Sequence, residues 1–565
     1  MEDQSKRLFL TLAISFIFLF VYQYYFVTPQ KEQQGSPVVE EGAQAPEIAE
    51  VETVPIQEAP GKTAEQMVAG EEKTIRVDTP LYTAVLTNRG GVLKSVILKN
   101  FLQDMKDPDS RVQLVRDPSG TDFPLKAELI GVGGPLGFAQ ALFLVDGGDV
   151  VLEEGEEGSV TFSYRTHDGF EMIKSLTFSG SSYAVDGQVR LVNRSTEPIS
   201  GRLVYSWTPG LEVLEEKSGS MMTGRYGFKG AVVRTEGKSK KIKSKKLEGT
   251  ELYEEFPDWV ASQDMYFVAA MLPRNGSERA IVRKMVDGRV AIGLYTQVKL
   301  EPGTAMSLKA LTYMGPKEMD SLKAVDPSLA ETVDMGFFAF IAKPLLVIMN
   351  YFYRYVGNYG IAIIILTILI KIVFIPFSNA SFKSMKNMSK LQPQINELKD
   401  KHKKDKEKLN QSIMALYKEN KVNPAGGCLP ILVQIPVFFA LYRALLGAIE
   451  LRHAPFMLWI ADLSAKDPLY ITPIVMGATM FLQQKMTPAT GDPRQQQIML
   501  FMPIVFTALF VNLPSGLVIY WTVNNILTIG HQYYMLKGYK AKEAKEAAEV
   551  PEKPAAKKKS KKGRK

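Results

Sequence analysis

Lys371 is the residue whose setting most needs a chemical explanation. It interrupts an apolar run that reads Ile361-Ala362-Ile363-Ile364-Ile365-Leu366-Thr367-Ile368-Leu369-Ile370 before it and Ile372-Val373-Phe374-Ile375-Pro376 after it. A lysine at the centre of a membrane-spanning helix costs about 2.5–3.5 kcal/mol on insertion scales, so such a residue ordinarily faces a bundle interior or a water-filled cavity. The competing reading is snorkelling, in which the stem bends until the ammonium meets bulk water. Asn379, where the run ends, is about eight residues or ~12 Å further along a helix, twice the reach of a ~6 Å stem. Thr367 and Ser378 stand at i−4 and i+7 from the lysine, on the same helical face. Other apolar runs contribute Gln434, Thr507, Thr522, Asn524 and Asn525, and taken singly each is more often a helix–helix hydrogen-bonding group than a substrate contact. No carboxylate lies inside any of these runs, so water and not an ion pair is expected to stabilise the lysine. The chemistry on offer is non-covalent: a hydrated cation within the thickness of a bilayer.

Covalent catalysis has no foothold elsewhere. The one cysteine, Cys428, excludes an intramolecular disulfide, and 4 scattered histidines make no cluster with zinc or iron–sulfur spacing. The 565 residues contain no GxxxxGK[ST], GxSxG or HExxH. No enzyme, metal, cofactor or small-molecule substrate is expected. With 46% hydrophobic and 23% charged residues and a net charge of +8, the chain is too apolar to be disordered. A mean hydropathy of -0.05 confines membrane character to part of the sequence.

The elements that position Lys371 follow from hydropathy and charge. After Lys6 and Arg7, residues 8–27 are uncharged and close on the aromatic belt Tyr22-Gln23-Tyr24-Tyr25-Phe26, an uncleaved transmembrane anchor with its N-terminus inside. Residues 28–73, rich in Glu, Pro, Ala and Gln, read as a flexible acidic linker. From Thr74 the period becomes two, with turn chemistry at Asn88-Arg89-Gly90-Gly91 and His167-Asp168-Gly169, so residues 74–330 read as a β-sandwich domain. Residues 335–355, interrupted by Lys343-Pro344 and rich in terminal aromatics, read as an interfacial amphipathic helix. Spans at 359–379, 428–449, 469–484, 498–513 and 517–536 bring the total to six, with a five-helix core over 358–540. The fold class expected is a multi-domain, polytopic α-helical membrane protein with a large extracytoplasmic β-sandwich domain.

Charge fixes the orientation. The loop 380–424 has eleven lysines against five acids, and the tail from Lys537 has twelve basic residues against four, which places both inside. Within the loop, Met385, Met388, Leu391, Ile395 and Leu398, then Leu409, Ile413 and Leu416, step by three or four, predicting an antiparallel helical hairpin with Met385 and Met388 on its seam. Its lysines, Lys401, Lys403 and Lys404 among them, suit ribosomal RNA or anionic headgroups, and equally a solvated face. Residues 541–565 read as a basic disordered tail, plausible for ribosome contact through counterion release.

Longer motifs bring a resemblance. Asn423-Pro424-Ala425-Gly426-Gly427-Cys428-Leu429-Pro430, Gln434-Ile435-Pro436-Val437-Phe438-Phe439-Ala440-Leu441-Tyr442, Ala454-Pro455-Phe456-Met457-Leu458-Trp459 and Leu513-Pro514-Ser515-Gly516-Leu517 resemble the YidC/Oxa family of membrane protein insertases over roughly residues 335–540. The anchor and external β domain are similar, in size and position, to the Gram-negative YidC form. The resemblance implies a bacterial inner-membrane protein with cytoplasmic termini and a periplasmic domain. It further implies a hydrophilic groove open to cytoplasm and lipid, with Lys371 as its basic residue where most members carry arginine. Thr367 then matches a groove-lining polar position and Tyr520 with Trp521 the aromatic contact of the last helix; Gln434 and Asn524 complete the expected groove. Expected partners are nascent membrane proteins, the ribosome through hairpin and tail, the Sec translocon and the lipid bilayer. Two rival readings remain, a solute transporter or channel with an intramembrane lysine, and a binding module whose active part is the β domain.

Overall fold

The computed structural model describes residues 54–55, 71–115, 122–131, 134–209, 228–403, 405–423, 429–487 and 493–549. The anchor expected over residues 8–27, most of the linker, Lys404, Cys428 and the tail beyond residue 549 lie outside them. Two compact units divide the chain, one reaching to Met335 and taking in Gly447–Glu450, the other comprising Gly336–Leu446 and the chain from Leu451.

In the first unit, strands form where alternating side chains offer one face to a core. In Thr74–Asp78, Ile75 and Val77 are buried while Thr74 and Arg76 face out. Gly90, in the turn before Val92–Leu102, has φ +72°, and a Cβ there would lie 2.5 Å from the Ala139 carbonyl oxygen, so glycine is required. Among the described residues, three sheets result. A ten-stranded sheet sets Ala184–Asn193 between Phe170–Ser179 and Thr304–Pro316. A six-stranded sheet sets Ile199–Trp207 between Val290–Leu300 and Lys126–Gly131. A five-stranded sheet contains Thr74–Asp78, Tyr82–Thr87 and Val92–Leu102. Tyr205 reaches from the six-stranded sheet to the ten-stranded one, its hydroxyl 2.7 Å from where a Cβ on Gly187 would stand, so the larger sheets enclose a sandwich-like core. Lys174 occupies an inward position of that core. It is fully buried, its Nζ donates to the carbonyls of Gly91 and Leu125, and it stands 5.6 Å from the Tyr205 ring centroid. Burial pushes its pKa down to about 7.

The linker expectation needs one correction. Val54–Pro55 forms a short strand opposite Ala305 and Thr304, consistent with the extended geometry that a proline imposes on the residue before it.

The helices of the described residues are α1 (Met319–Val325) at the end of the first unit, then α2 (Ala339–Val356), α3 (Tyr359–Lys390), α4 (Gln392–Lys401), α5 (Lys406–Glu419), α6 (Leu429–Gly447), α7 (Ile471–Met486), α8 (Pro493–Phe510) and α9 (Ser515–Glu549). α2 continues through Pro344, where the sequence suggests an interruption, and ends at Gly357 in the left-handed region. Asn358 then caps α3 by accepting the Ile361 N–H at 3.1 Å.

Two boundaries differ from expectation. α3 does not stop at Asn379 but runs on to Lys390, because no proline or glycine intervenes; the break falls at Leu391, just ahead of Gln392-Pro393. The hairpin's first arm is therefore the end of α3 plus α4, and its core is Leu391, Ile395 and Val422 packed by Met388, Ile413, Leu416 and Tyr417. The stretch from 541 is helical to Glu549, where an Ala-, Lys- and Glu-rich composition favours helix.

Among the described residues, α3 is the one helix both long and apolar enough to cross a bilayer by itself, with a mean hydropathy of 2.7 in its most apolar stretch. Val433–Gly447 and Met499–Phe510 are shorter apolar helices. The five-span core expected from hydropathy thus differs from the spans the helices meet individually. α7 has 16 residues, and α9 carries a polar stripe over the stretch where a span was expected.

Candidate functional site

The segment between α6 and α7 ties the starts of α3 and α9 together. Asn358 donates through Nδ2 to the Phe456 carbonyl at 2.8 Å, while Ser515 Oγ donates to the Ala465 carbonyl at 2.6 Å and the Gly516 N–H to that of Leu463 at 2.9 Å. Asp467, fully buried, organises the segment by accepting from the Trp459 indole, the Leu469 N–H and both the N–H and hydroxyl of Thr472. Burial alone would raise its pKa; these hydrogen bonds outweigh it and hold the carboxyl below the ordinary carboxylate value. With α3 and α9 starting from one frame, Lys371 and Thr528 fall about 18 and 20 Å along their helices, at matching depth.

They meet there. Lys371 Nζ donates to Thr528 Oγ1 at 2.6 Å, and Thr528 Oγ1 donates to the Asn524 carbonyl at 2.6 Å. One turn further along α9 and eight residues further along α3, His531 Nε2 and Asn379 Oδ1 are 2.8 Å apart. On the neighbouring side of α9, Asn525 donates to Thr479 of α7 at 3.2 Å and Gln532 to Thr487 at 3.5 Å. Asn524, Asn525, Thr528, His531 and Gln532 recur at three and four residues, a polar stripe facing α3 and α7. An ammonium has three donors, so with one given to Thr528 two remain for oxygen atoms of a ligand.

The other expected groove residues divide. Thr367 is buried and donates to the Ile363 carbonyl of its own helix at 2.7 Å. Tyr520, 1% exposed, turns its hydroxyl toward Gln434 of α6. Trp521 joins an aromatic cluster, 5.0 Å from Phe438, 5.3 Å from Phe510 and 6.3 Å from Phe506 between ring centroids, and so packs α6 and α8 against α9. Hairpin residues stand apart from these: Met388 packs on the hairpin core, Met385 is half-buried outside it, Lys401 is exposed and Lys403 pairs with Asp400 at 3.0 Å. Sequence reasoning missed Thr528, His531 and Asn379; the spacing from Asn524 through Thr528 to His531 was the available signal.

Comparison with known proteins shows the family. A model of the YidC periplasmic domain matches residues 74–348 and a model of the 60Kd inner membrane protein matches residues 351–543, which together define an inner-membrane protein with a periplasmic domain. The membrane protein insertase YidC of Geobacter metallireducens is 41% identical over 551 residues, 95% of this chain and 99% of that one. That of Syntrophus aciditrophicus is 42% identical over 552 residues, 94% and 99% of the two chains. A crystal structure of an active YidC insertase with its first transmembrane domain resolved is 20% identical, covers 83% of this chain and 94% of its own, and has a TM-score of 0.36. The chain belongs to the YidC family of membrane protein insertases.

Proposed function

We propose that this chain inserts transmembrane segments of newly made proteins into the bacterial inner membrane without nucleotide or covalent chemistry. Lys371, Asn524, Gln434 and Tyr520, with Thr367 and Trp521 behind them, form a hydrated groove that takes up the short polar segment of a client while its apolar helix partitions sideways into lipid. The observation that carries this reading is the partner of Lys371: a mid-helix ammonium bonded to a neutral hydroxyl, with no carboxylate beside it among the described residues, has two donors left for a transient ligand. Removal of the client helix from water, at roughly 25 cal/mol per Å2 of apolar area, drives the process, and the groove lowers the barrier for its polar end.

Six spans with cytoplasmic termini follow from the anchor at 8–27, the five-helix core and the lysine-rich loop and tail. α2 lies at the interface, exposing Tyr351, Tyr353 and Tyr355. The hairpin, through Lys401, Lys403, Lys404 and the seam around Met388, and the basic tail receive the ribosome; the Sec translocon is a further partner for larger clients. A small two-span client offered to vesicles holding only this protein tests the reading. Insertion is expected to fall about tenfold with Lys371→Ala, the size of one lost charged hydrogen bond, and undiminished insertion removes the lysine from the mechanism.

A further inference from the structure

A lysine cannot fix its own charge in space. Its ammonium is a compact point charge on a flexible four-carbon stem, so its location is set by whatever accepts its protons, whereas a guanidinium fork spans two acceptors at once. On its own helix, Thr367 is buried and donates to the Ile363 carbonyl. Across the interface, Thr528 makes the same bond to the carbonyl four residues back, and it is the hydroxyl that Lys371 Nζ reaches. Its single proton goes to the Asn524 carbonyl, which leaves oxygen lone pairs for Lys371 Nζ, and both contacts are 2.6 Å. We propose that Thr528 is a positioning residue, holding the groove ammonium against α9 at mid-helix depth and turning its two remaining N–H groups toward a client's carboxylate or carbonyl oxygens. Without that acceptor the flexible stem no longer holds the ammonium against α9, and the charge spreads away from the point at which a client's polar segment is taken up.

The inference rests on the groove reading, and one set of measurements separates the two. Full-length protein in vesicles is assayed with the two-span client for Thr528→Val, Thr528→Ser, Lys371→Ala and the pair Thr528→Val with Lys371→Ala, while detergent melting temperature reports folding. Thr528→Val, which keeps the shape and loses the acceptor, is expected to lower insertion about tenfold. Thr528→Ser restores it, and Thr528→Val adds no further loss once Lys371 is alanine. Wild-type insertion by Thr528→Val, or an equal additional loss in the Lys371→Ala background, overturns the positioning role. Full insertion by Lys371→Ala overturns the groove reading and this inference with it. If Thr528→Val does not accumulate, Thr528→Ala is compared with Thr528→Ser: greater insertion by the serine variant supports the role, and equal insertion overturns it.

Discussion

Two lysines, one in each unit, meet the problem of a buried cation in different ways. Lys371 is half-buried and bonded to a hydroxyl, whereas Lys174 is fully enclosed and bonded to two backbone carbonyls, with a pKa lowered to about 7. Between pH 7 and its ordinary value of 10.5, the unfolded chain holds the Lys174 proton more tightly than the folded one, so stability from this group rises with pH across that window. Below pH 7 the full penalty of burying the charge remains. The difference in unfolding free energy between the native chain and Lys174→Met is expected to grow in favour of the native chain by up to ~1.4 kcal/mol per pH unit from 7 towards 10. Thermal or denaturant unfolding of both proteins over that range measures it; parallel pH curves contradict the assignment. At this scale the sequence was partly legible. Lys371 announces itself because a charge inside an apolar run has no bland neighbours, but Lys174 sits in an alternating strand where a lysine ordinarily faces water. Thr528 was easy to pass over for a similar reason, since a threonine in an apolar helix commonly bonds its own backbone, and only its spacing from Asn524 and His531 marks it.

Among the described residues the strands and the hairpin formed where the sequence suggests them, while the ends of elements, the linker at Val54–Pro55 and the stretch 541–549 differed. The period-two runs became strands, the turn Asn88-Arg89-Gly90-Gly91 falls between two of them, and the three- and four-residue steps of Ile395, Ile413 and Leu416 became the hairpin core. The end of α3 was misplaced because a change from apolar to basic composition marks the end of a span, not of a helix; the backbone stops only near Pro393. The opposite end of α3 is fixed by close packing. A Cβ on Gly360 would come within 1.9 Å of the Phe456 ring, and the Phe456 backbone is itself held by Asn358 and by the Ile460 carbonyl. Gly360→Ala is therefore expected to destabilise the helical unit by about 1–3 kcal/mol through overpacking, seen as a lowered detergent melting temperature. An unchanged or raised melting temperature would show that the loop yields freely.

At the level of the whole molecule, the strand-rich and helical units each have their own core, and the polar stripe of α9 with Lys371 lies within the second. Composition made this division legible, since the switch from alternation to long apolar runs falls near Asp334. Topology was harder to read from the helices alone, because Thr479, Asn524, Asn525, Thr528, His531 and Gln532 lower the hydropathy of α7 and α9. The groove is thus the claim on which the account stands, and a client's path tests it most directly. With a photo-crosslinking side chain at Asn524, beside the Lys371–Thr528 contact, or at Ile474, which is 61% exposed on α7, a stalled nascent chain reports its neighbours. The account predicts strong adducts from position 524 and few from 474; adducts confined to 474 would contradict it.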